Sequence, residues 1–273
     1  MVRLVELVYS NRNFCKNLSY MGNLRWSILF IFNSSSLDKG GAIMIWFYSG
    51  TPGSGKSLHV ARDIYHKLNR SSCVICNFGI NMDMFKFKWV EKEYTLPTDE
   101  GIKIIKKRMR IYENMKGTCI QLENYQITPD FLMNYAKAFF PRDNHMRIKE
   151  SSCLLVIDEC QLIFNAREWN ARGRDKWISF FTQHRKFGYN IILISQFDRL
   201  VDRQIRSLIE YEVKHRKLNN YNMFGKIIGL LLGGSAFVAI EYWYGAKEKI
   251  GVEYFGARKR YCEFYDSYKI FSV

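Results

Sequence analysis

No apolar run in the chain is long enough to cross a bilayer, a span that takes about 20 apolar residues as a helix. The best segment, Ile227 to Ile240, is short, is broken by Gly229, Gly233 and Gly234, and lies between Lys226 and Glu241. A secretory leader is not expected either. Trp26 to Phe32 is a short apolar core, and the basic residues ahead of it are spread out rather than grouped. Cysteines lack the spacing of a zinc site. Cys73-x-x-Cys76 has no second pair, and on a strand two residues three apart face opposite sides. The seven cysteines, odd in number and scattered, read as reduced thiols of a cytoplasm. Acidic residues are scarce: 26 Asp and Glu stand against 41 Lys and Arg, a net charge of +15. Such an excess favours nucleic acid or an anionic membrane as partner, or marks a generic basic surface.

Apolar residues are plentiful. The chain has 273 residues, 48% hydrophobic and 16% aromatic, which suits one large domain with a sizeable core and argues against disorder. The run Gly50-Thr51-Pro52-Gly53-Ser54-Gly55-Lys56-Ser57 fills every fixed position of G-x-x-x-x-G-K-[ST]. An apolar stretch, Ile43 to Ser49, precedes it, and a helix-compatible stretch, Leu58 to Leu68, follows. Glycines let the backbone curl so that its N–H groups face phosphate oxygens, and the helix start adds its positive dipole end. In such a loop Lys56 reaches the β- and γ-phosphates of ATP, and the Ser57 hydroxyl holds Mg²⁺.

Residues 1–43 carry no clear period. Lys39-Gly40-Gly41 can be encoded as a bacterial ribosome-binding sequence a few nucleotides ahead of Met44, so residues 1–43 are expected to be an upstream extension and 44–273 the working domain. From Met44 strands and helices alternate. This predicts an α/β P-loop NTPase with a mainly parallel sheet flanked by helices, followed by a strand-rich C-terminal extension. Expected strands include Cys73–Ile80 and Thr118–Tyr125, and Thr128-Pro129-Asp130 opens a helix. The segment from Asp83 to Tyr94 reads as irregular. The segment from Asp99 to Met115 reads as a basic helix on Ile102, Ile105 and Met109, its charged face either solvated or in contact with DNA. Near the C-terminus a helix within Ile227–Ile240 is expected to give way to strands at Ala236–Trp243 and Lys249–Phe255.

Leu154-Leu155-Val156-Ile157-Asp158-Glu159 has the form of a Walker B strand, four apolar residues delivering an acidic pair to the carboxyl end of a parallel strand. Asp158 is expected to hold Mg²⁺ through water, and Glu159 to polarise the attacking water, which marks a hydrolase. Asn190 to Gln196 is a further strand ending in a polar pair, with Gln196 placed to sense the γ-phosphate beside Ser195. Arg206 and then Arg185 are the candidates for an arginine finger reaching a neighbouring subunit. A surface ion pair is the alternative role for each.

These pieces together resemble a known family. The loop at Gly50, Ile157-Asp158-Glu159-Cys160-Gln161, Gln183-His184-Arg185-x-x-Gly188, Ile194-Ser195-Gln196, Asp202-Arg203-x-x-Arg206 and the closing Phe264-Tyr265-Asp266-Ser267-Tyr268-Lys269 are similar to the zonular occludens toxin (Zot) domain, shared with assembly ATPases of filamentous phages. The resemblance implies an FtsK–HerA-type ATPase that forms a homo-oligomeric ring at the cytoplasmic face of the host inner membrane. It further implies peripheral membrane contact, coat or assembly proteins as partners, and extrusion of particles carrying single-stranded DNA. Family members often continue into a membrane-spanning helix and an outer domain, whereas this chain ends at Val273, so toxin activity is not expected. A DNA-translocating ATPase and a nucleotide-gated scaffold are the alternatives; Glu159 argues against the scaffold, and Phe85-Lys86-Phe87-Lys88-Trp89 suits either strand stacking or an aromatic core edge.

Overall fold

β1, Ile45–Ser49, is buried along its whole length. It can be so because both of its neighbours in the sheet run parallel to it and helices cover the faces. The computed structural model describes residues 44–70, 72–98, 101–113, 115–167, 173–218 and 235–265, with the side chains of 92–109 left aside. The readings made for residues 1–43, for a helix within 227–234 and for the closing motif beyond Tyr265 lie outside the described residues.

After β1 and the glycine loop comes α1 (Lys56–Asn69), whose inward residues Val60, Ala61, Ile64 and Leu68 are fully buried. β2 (Cys73–Cys76), β5 (Thr118–Gln121), β6 (Cys153–Ile157), β7 (Tyr189–Ile194) and β8 (Tyr211–Lys217) complete the parallel part. β9 (Ala236–Trp243) and β10 (Glu248–Gly256) join antiparallel at one edge. The order is β10-β9-β8-β1-β7-β6-β2-β5. The C-terminal extension therefore continues the main sheet. α2 (Pro129–Phe139) starts as the sequence predicts: the Thr128 hydroxyl accepts the Phe131 N–H at 3.2 Å, and Pro129 fills the first turn. α3 (Arg174–Gln183), the short α4 (Arg203–Arg206) and α5 (Lys259–Phe264) are the remaining helices among the described residues. The core on one face packs Phe164, Trp177, Phe180 and Phe181 against Leu155, Ile157, Ile191 and Leu193.

Two expectations fail. Asp99–Met115 is not a helix, and Asp83–Tyr94 is not irregular beyond a 3-10 turn at Met82–Met84. The chain instead forms a hairpin, β3 (Phe87–Thr98) with β4 (Gly101–Tyr112), a two-stranded sheet separate from the main one. The i, i+3, i+7 apolar spacing fits a helix, but Ile102, Ile104, Ile105 and Ile111 are β-branched and suit a strand. The deciding partner, β3, lies outside any window read on β4 alone.

Candidate active site

The strand order brings three chain segments to one edge of the sheet. The glycine loop leaves the carboxyl end of β1, the acidic pair leaves β6, and β7 lies between them and ends in Ser195-Gln196. The Gly50 N–H donates to the Gln196 carbonyl at 3.3 Å, which ties the start of the loop to the end of β7.

The loop conformation depends on its glycines. Gly50, Gly53 and Gly55 have φ of 145°, 72° and 93°. A Cβ on Gly50 would lie 2.7 Å from both the His215 carbonyl and Ser54 Oγ, and one on Gly55 would lie 2.6 Å from the Phe237 ring. Thr51, Pro52 and Gly53 are exposed at the crest, and Ser57 is half-buried in the first turn of α1. Ser54 Oγ is buried and has no hydrogen-bond partner among the described residues. Lys56 Nζ donates to the Gly50 carbonyl at 2.5 Å and the Thr51 carbonyl at 3.2 Å, so the ammonium closes the curl of the loop. Burial lowers the Lys56 pKa, against the opposing charges of Glu159 and Asp158.

Asp158 is buried at the end of β6, and Glu159 is half-exposed. Burial first, and then the Glu159 charge, push the Asp158 carboxyl up to about 7; the Glu159 N–H bond to its Oδ1, 2.9 Å long, and the Lys56 charge act the other way. Glu159 takes φ 46°, ψ 46°, a left-handed conformation that costs a non-glycine residue about 1–2 kcal/mol. Gln161 Nε2 donates to Glu159 Oε2 at 2.5 Å, which orients the carboxylate from below.

Sequence reading missed Asn77. It follows β2 directly, is 1% exposed, and clamps the Asp158 backbone in both directions. Its Oδ1 accepts the Asp158 N–H at 2.6 Å, and its Nδ2 donates to the Asp158 carbonyl at 2.8 Å and to Asn124 Oδ1 at 2.7 Å. The one available signal is a polar residue ending a buried strand, the same signature that marks Asp158. A buried histidine pair was missed too. His59 Nδ1 lies 2.8 Å from His215 Nε2, and His215 Nδ1 lies 3.2 Å from the Ser49 carbonyl just before the loop. Arg62 pairs with Glu253 of β10 at 2.6 Å beside them.

A cleft of about 710 Å³ opens on the loop, bounded by Gly50 to Ser54, Gln196 to Asp198 and the β8 residues Glu212 and Lys214. Gln196 thus stands at both the loop and the cleft. The two arginines are placed differently. Arg206 Nη1 donates to the Asp198 carbonyl at 3.4 Å, below the cleft rim. Arg185 is exposed, pairs with Glu210 at 2.8 Å, and precedes β7, so it sits at the sheet edge opposite the loop. It lies away from this chain's own loop.

The groups present fit a magnesium nucleotide. A curl without Cβ atoms, an orphaned hydroxyl and a lysine suit phosphates, and a serine hydroxyl with a carboxylate forms the hard oxygen set that Mg²⁺ takes.

The family model described as "Zonular occludens toxin (Zot)" matches residues 44–269. The Gene 1 protein of Salmonella phage IKe is 40% identical over 84 residues, 30% of this chain and 23% of that protein. The Gene 1 protein of Enterobacteria phage fd is 37% identical over 95 residues, 34% of this chain and 27% of that protein. The matched part thus spans about a quarter of these curated relatives. Among solved structures, the N-terminal domain of zonular occludens toxin from Neisseria meningitidis aligns over 82% of this chain and 99% of its own, at 14% identity and a TM-score of 0.45. A genome-packaging NTPase of Sulfolobus turreted icosahedral virus 2, solved with AMPPCP, aligns over 77% of this chain and 97% of its own, at 13% identity and a TM-score of 0.42. With the family model matching most of its length, the chain belongs to the zonular occludens toxin (Zot) family.

Proposed function

We propose that this chain binds ATP with Mg²⁺, hydrolyses it, and uses the turnover to drive assembly and extrusion of filamentous phage at the cytoplasmic face of the host inner membrane. The chain is a P-loop ATPase. The observation that carries this reading is the strand order, in which β7 separates β1 from β6 and the loop, Gln196 and the acidic pair share one edge. Phosphates take the loop N–H groups of Gly53 to Ser57 and displace Lys56 from the carbonyls of Gly50 and Thr51. Lys56 then neutralises charge that develops on the transferring phosphoryl group. Ser57 and Asp158 would hold Mg²⁺, which would supply further positive charge against the phosphoryl group. Glu159, braced by Gln161, orients the attacking water and accepts its proton. Gln196, bonded through its carbonyl to Gly50, reports loss of the γ-phosphate to the end of β7. A neighbouring copy in a ring supplies Arg206, or Arg185, to the transition state.

The local match to phage gene 1 proteins supports a phage setting, with coat or assembly proteins as partners. A second reading, a motor moving single-stranded DNA, draws on the net charge of +15. Steady-state ATP turnover of the purified chain, measured with coat protein in vesicles or with single-stranded DNA, separates them. Stimulation by coat protein supports extrusion, and stimulation by DNA alone transfers the reading to the DNA motor. Absence of turnover under every condition removes the hydrolase.

A further inference from the structure

The C-terminal strands wall the nucleotide loop on one side. Phe237 of β9 meets Gly55, where a Cβ would lie 2.6 Å from the ring, and stacks on Phe255 of β10 at a centroid distance of 5.5 Å. Phe255 in turn lies 4.9 Å from the His59 ring and has the Arg62 guanidinium 5.4 Å from its centroid. Glu253, two residues earlier on β10, shares the buried face of that strand and pairs with Arg62 at 2.6 Å. Its other oxygen is 3.5 Å from His59 Nε2, and Asp63 is 3.6 Å from the same nitrogen. Asp63 also accepts the Tyr48 hydroxyl at 3.2 Å.

Donors and acceptors run in one direction through this cluster. The Ser49 carbonyl can only accept, so His215 Nδ1, 3.2 Å away, donates to it. Burial first, and then His59, lower the His215 pKa well below 6.5, and a neutral ring has one donor and one acceptor nitrogen. His215 Nε2 therefore accepts from His59 Nδ1 at 2.8 Å, and His59 Nε2 is left facing the two carboxylates. Ser49 ends the strand that enters the loop, and His59 lies in the first turn of the helix that leaves it, so the histidine pair ties the two flanks of the loop together. Arg62, Asp63, His59, His215 and Glu253 are all buried. Charge is costly to bury, and well-packed apolar residues in its place often hold a fold as well or better. Stability alone therefore does not account for a charged cluster at this point.

We propose that Glu253 is a positioning residue for nucleotide binding: from β10 it fixes Arg62 and His59, His59 fixes His215, and His215 holds the Ser49 carbonyl so that the loop keeps the curl that receives phosphates. The inference rests on the ATP reading above and gives the C-terminal strands a part in it. Asp158 and Glu159 leave β6, on the far side of β7 from β1, and belong to none of these contacts. Loss of Glu253 therefore weakens binding and spares the cleavage of nucleotide once bound.

The test is Glu253→Gln in the full chain, read by calorimetry with AMPPCP and Mg²⁺ and by steady-state ATP turnover. The Kd for AMPPCP and the KM for ATP should rise roughly tenfold, the low end of what an orienting partner behind a ligand is worth. The kcat, set by the acidic pair, should keep its wild-type value. His59→Gln should behave alike, and the double variant should lose no more than the worse single, because both cut one series of contacts. His215 supplies a second arm should Glu253→Gln not fold. His215→Leu should bind weakly, whereas His215→Gln, whose amide can donate to Ser49 and accept from His59, should hold most of the affinity. Leu132→Ala empties buried space on α2 beside the start of β7, away from the loop, and should lower Tm with no change in Kd. An unchanged Kd in Glu253→Gln or His215→Leu, a loss confined to kcat, additive losses in the double variant, or an equal loss of affinity in Leu132→Ala would overturn the proposal. If wild type itself takes up no AMPPCP, the ATP reading falls and this inference falls with it.

Discussion

Replacing Asn77 by Ala tests whether the acidic pair is held in place from β2. The substitution removes three hydrogen bonds, at 2.6 and 2.8 Å to the Asp158 backbone and at 2.7 Å to Asn124. The site is 1% exposed and Asp158 is 6% exposed, so the freed backbone groups have little access to water. An orphaned buried donor costs about 1–3 kcal/mol, and each of the two further bonds adds about 1 kcal/mol, for an expected loss of about 3–5 kcal/mol. In a domain of this size that lowers Tm by roughly 6–20 °C. The chemical effect is separate. Release of the Asp158 backbone lets Glu159 leave its left-handed geometry, and a misplacement of about 1 Å can cost a hundred-fold in rate. Turnover should therefore fall at least tenfold in kcat, with little change in KM because phosphate contacts reside in the loop. Thermal unfolding by circular dichroism gives the first quantity, and a coupled phosphate-release assay the second. A variant that melts within about 0.5 kcal/mol of wild type and keeps its kcat would refute the clamp.

Other perturbations probe other parts. Gly55→Ala places a Cβ at φ 93° and 2.6 Å from the Phe237 ring; it should cost roughly 1–3 kcal/mol and weaken nucleotide binding measured by calorimetry. His215 is held neutral, its pKa well below 6.5, first by burial and then by the neighbouring His59. The unfolded chain thus takes up a proton below pH 6.5 that the folded one does not, so stability should fall as pH drops from about 6.5 to 5. A His215→Gln variant should show a flatter dependence of Tm over that window. Burial opposes ionisation of Glu253, yet His59 and Arg62 hold its carboxyl down at about 2, so its contribution is present above pH 4.5 and is lost as pH falls toward 2. Arg185→Ala breaks one exposed pair with Glu210 and should change stability by less than about 1 kcal/mol. A drop in turnover of about a thousand-fold in Arg185→Ala or Arg206→Ala, rescued by mixing with subunits that keep the arginine but lack Glu159, identifies the finger.

The nucleotide loop and the Walker B strand were legible in the sequence because each is local. Gly50 to Ser57 states its own curl, and Leu154 to Glu159 states a buried strand with charge at its end. The parallel architecture followed from the alternation of short apolar runs with helical ones, and the strands at Ala236–Trp243 and Glu248–Gly256 were read nearly to their ends. Long-range pairing was not legible. β4 carries a helix-like apolar spacing, and only its partner β3 gives it an extended form. Asn77 looks like an ordinary strand end until β2 is placed beside β6. The His59–His215 contact joins residues 156 positions apart, which no local pattern can announce.

The account turns on Glu159 cutting a triphosphate that Lys56 and the glycine loop hold. The direct measurement compares wild type with Glu159→Gln for ATP affinity and for single-turnover cleavage in the presence of Mg²⁺. The account predicts that the variant binds ATP as tightly as wild type and cleaves it slower by a factor of about a thousand. Equal cleavage rates in the two proteins, or ATP binding by neither, would contradict it.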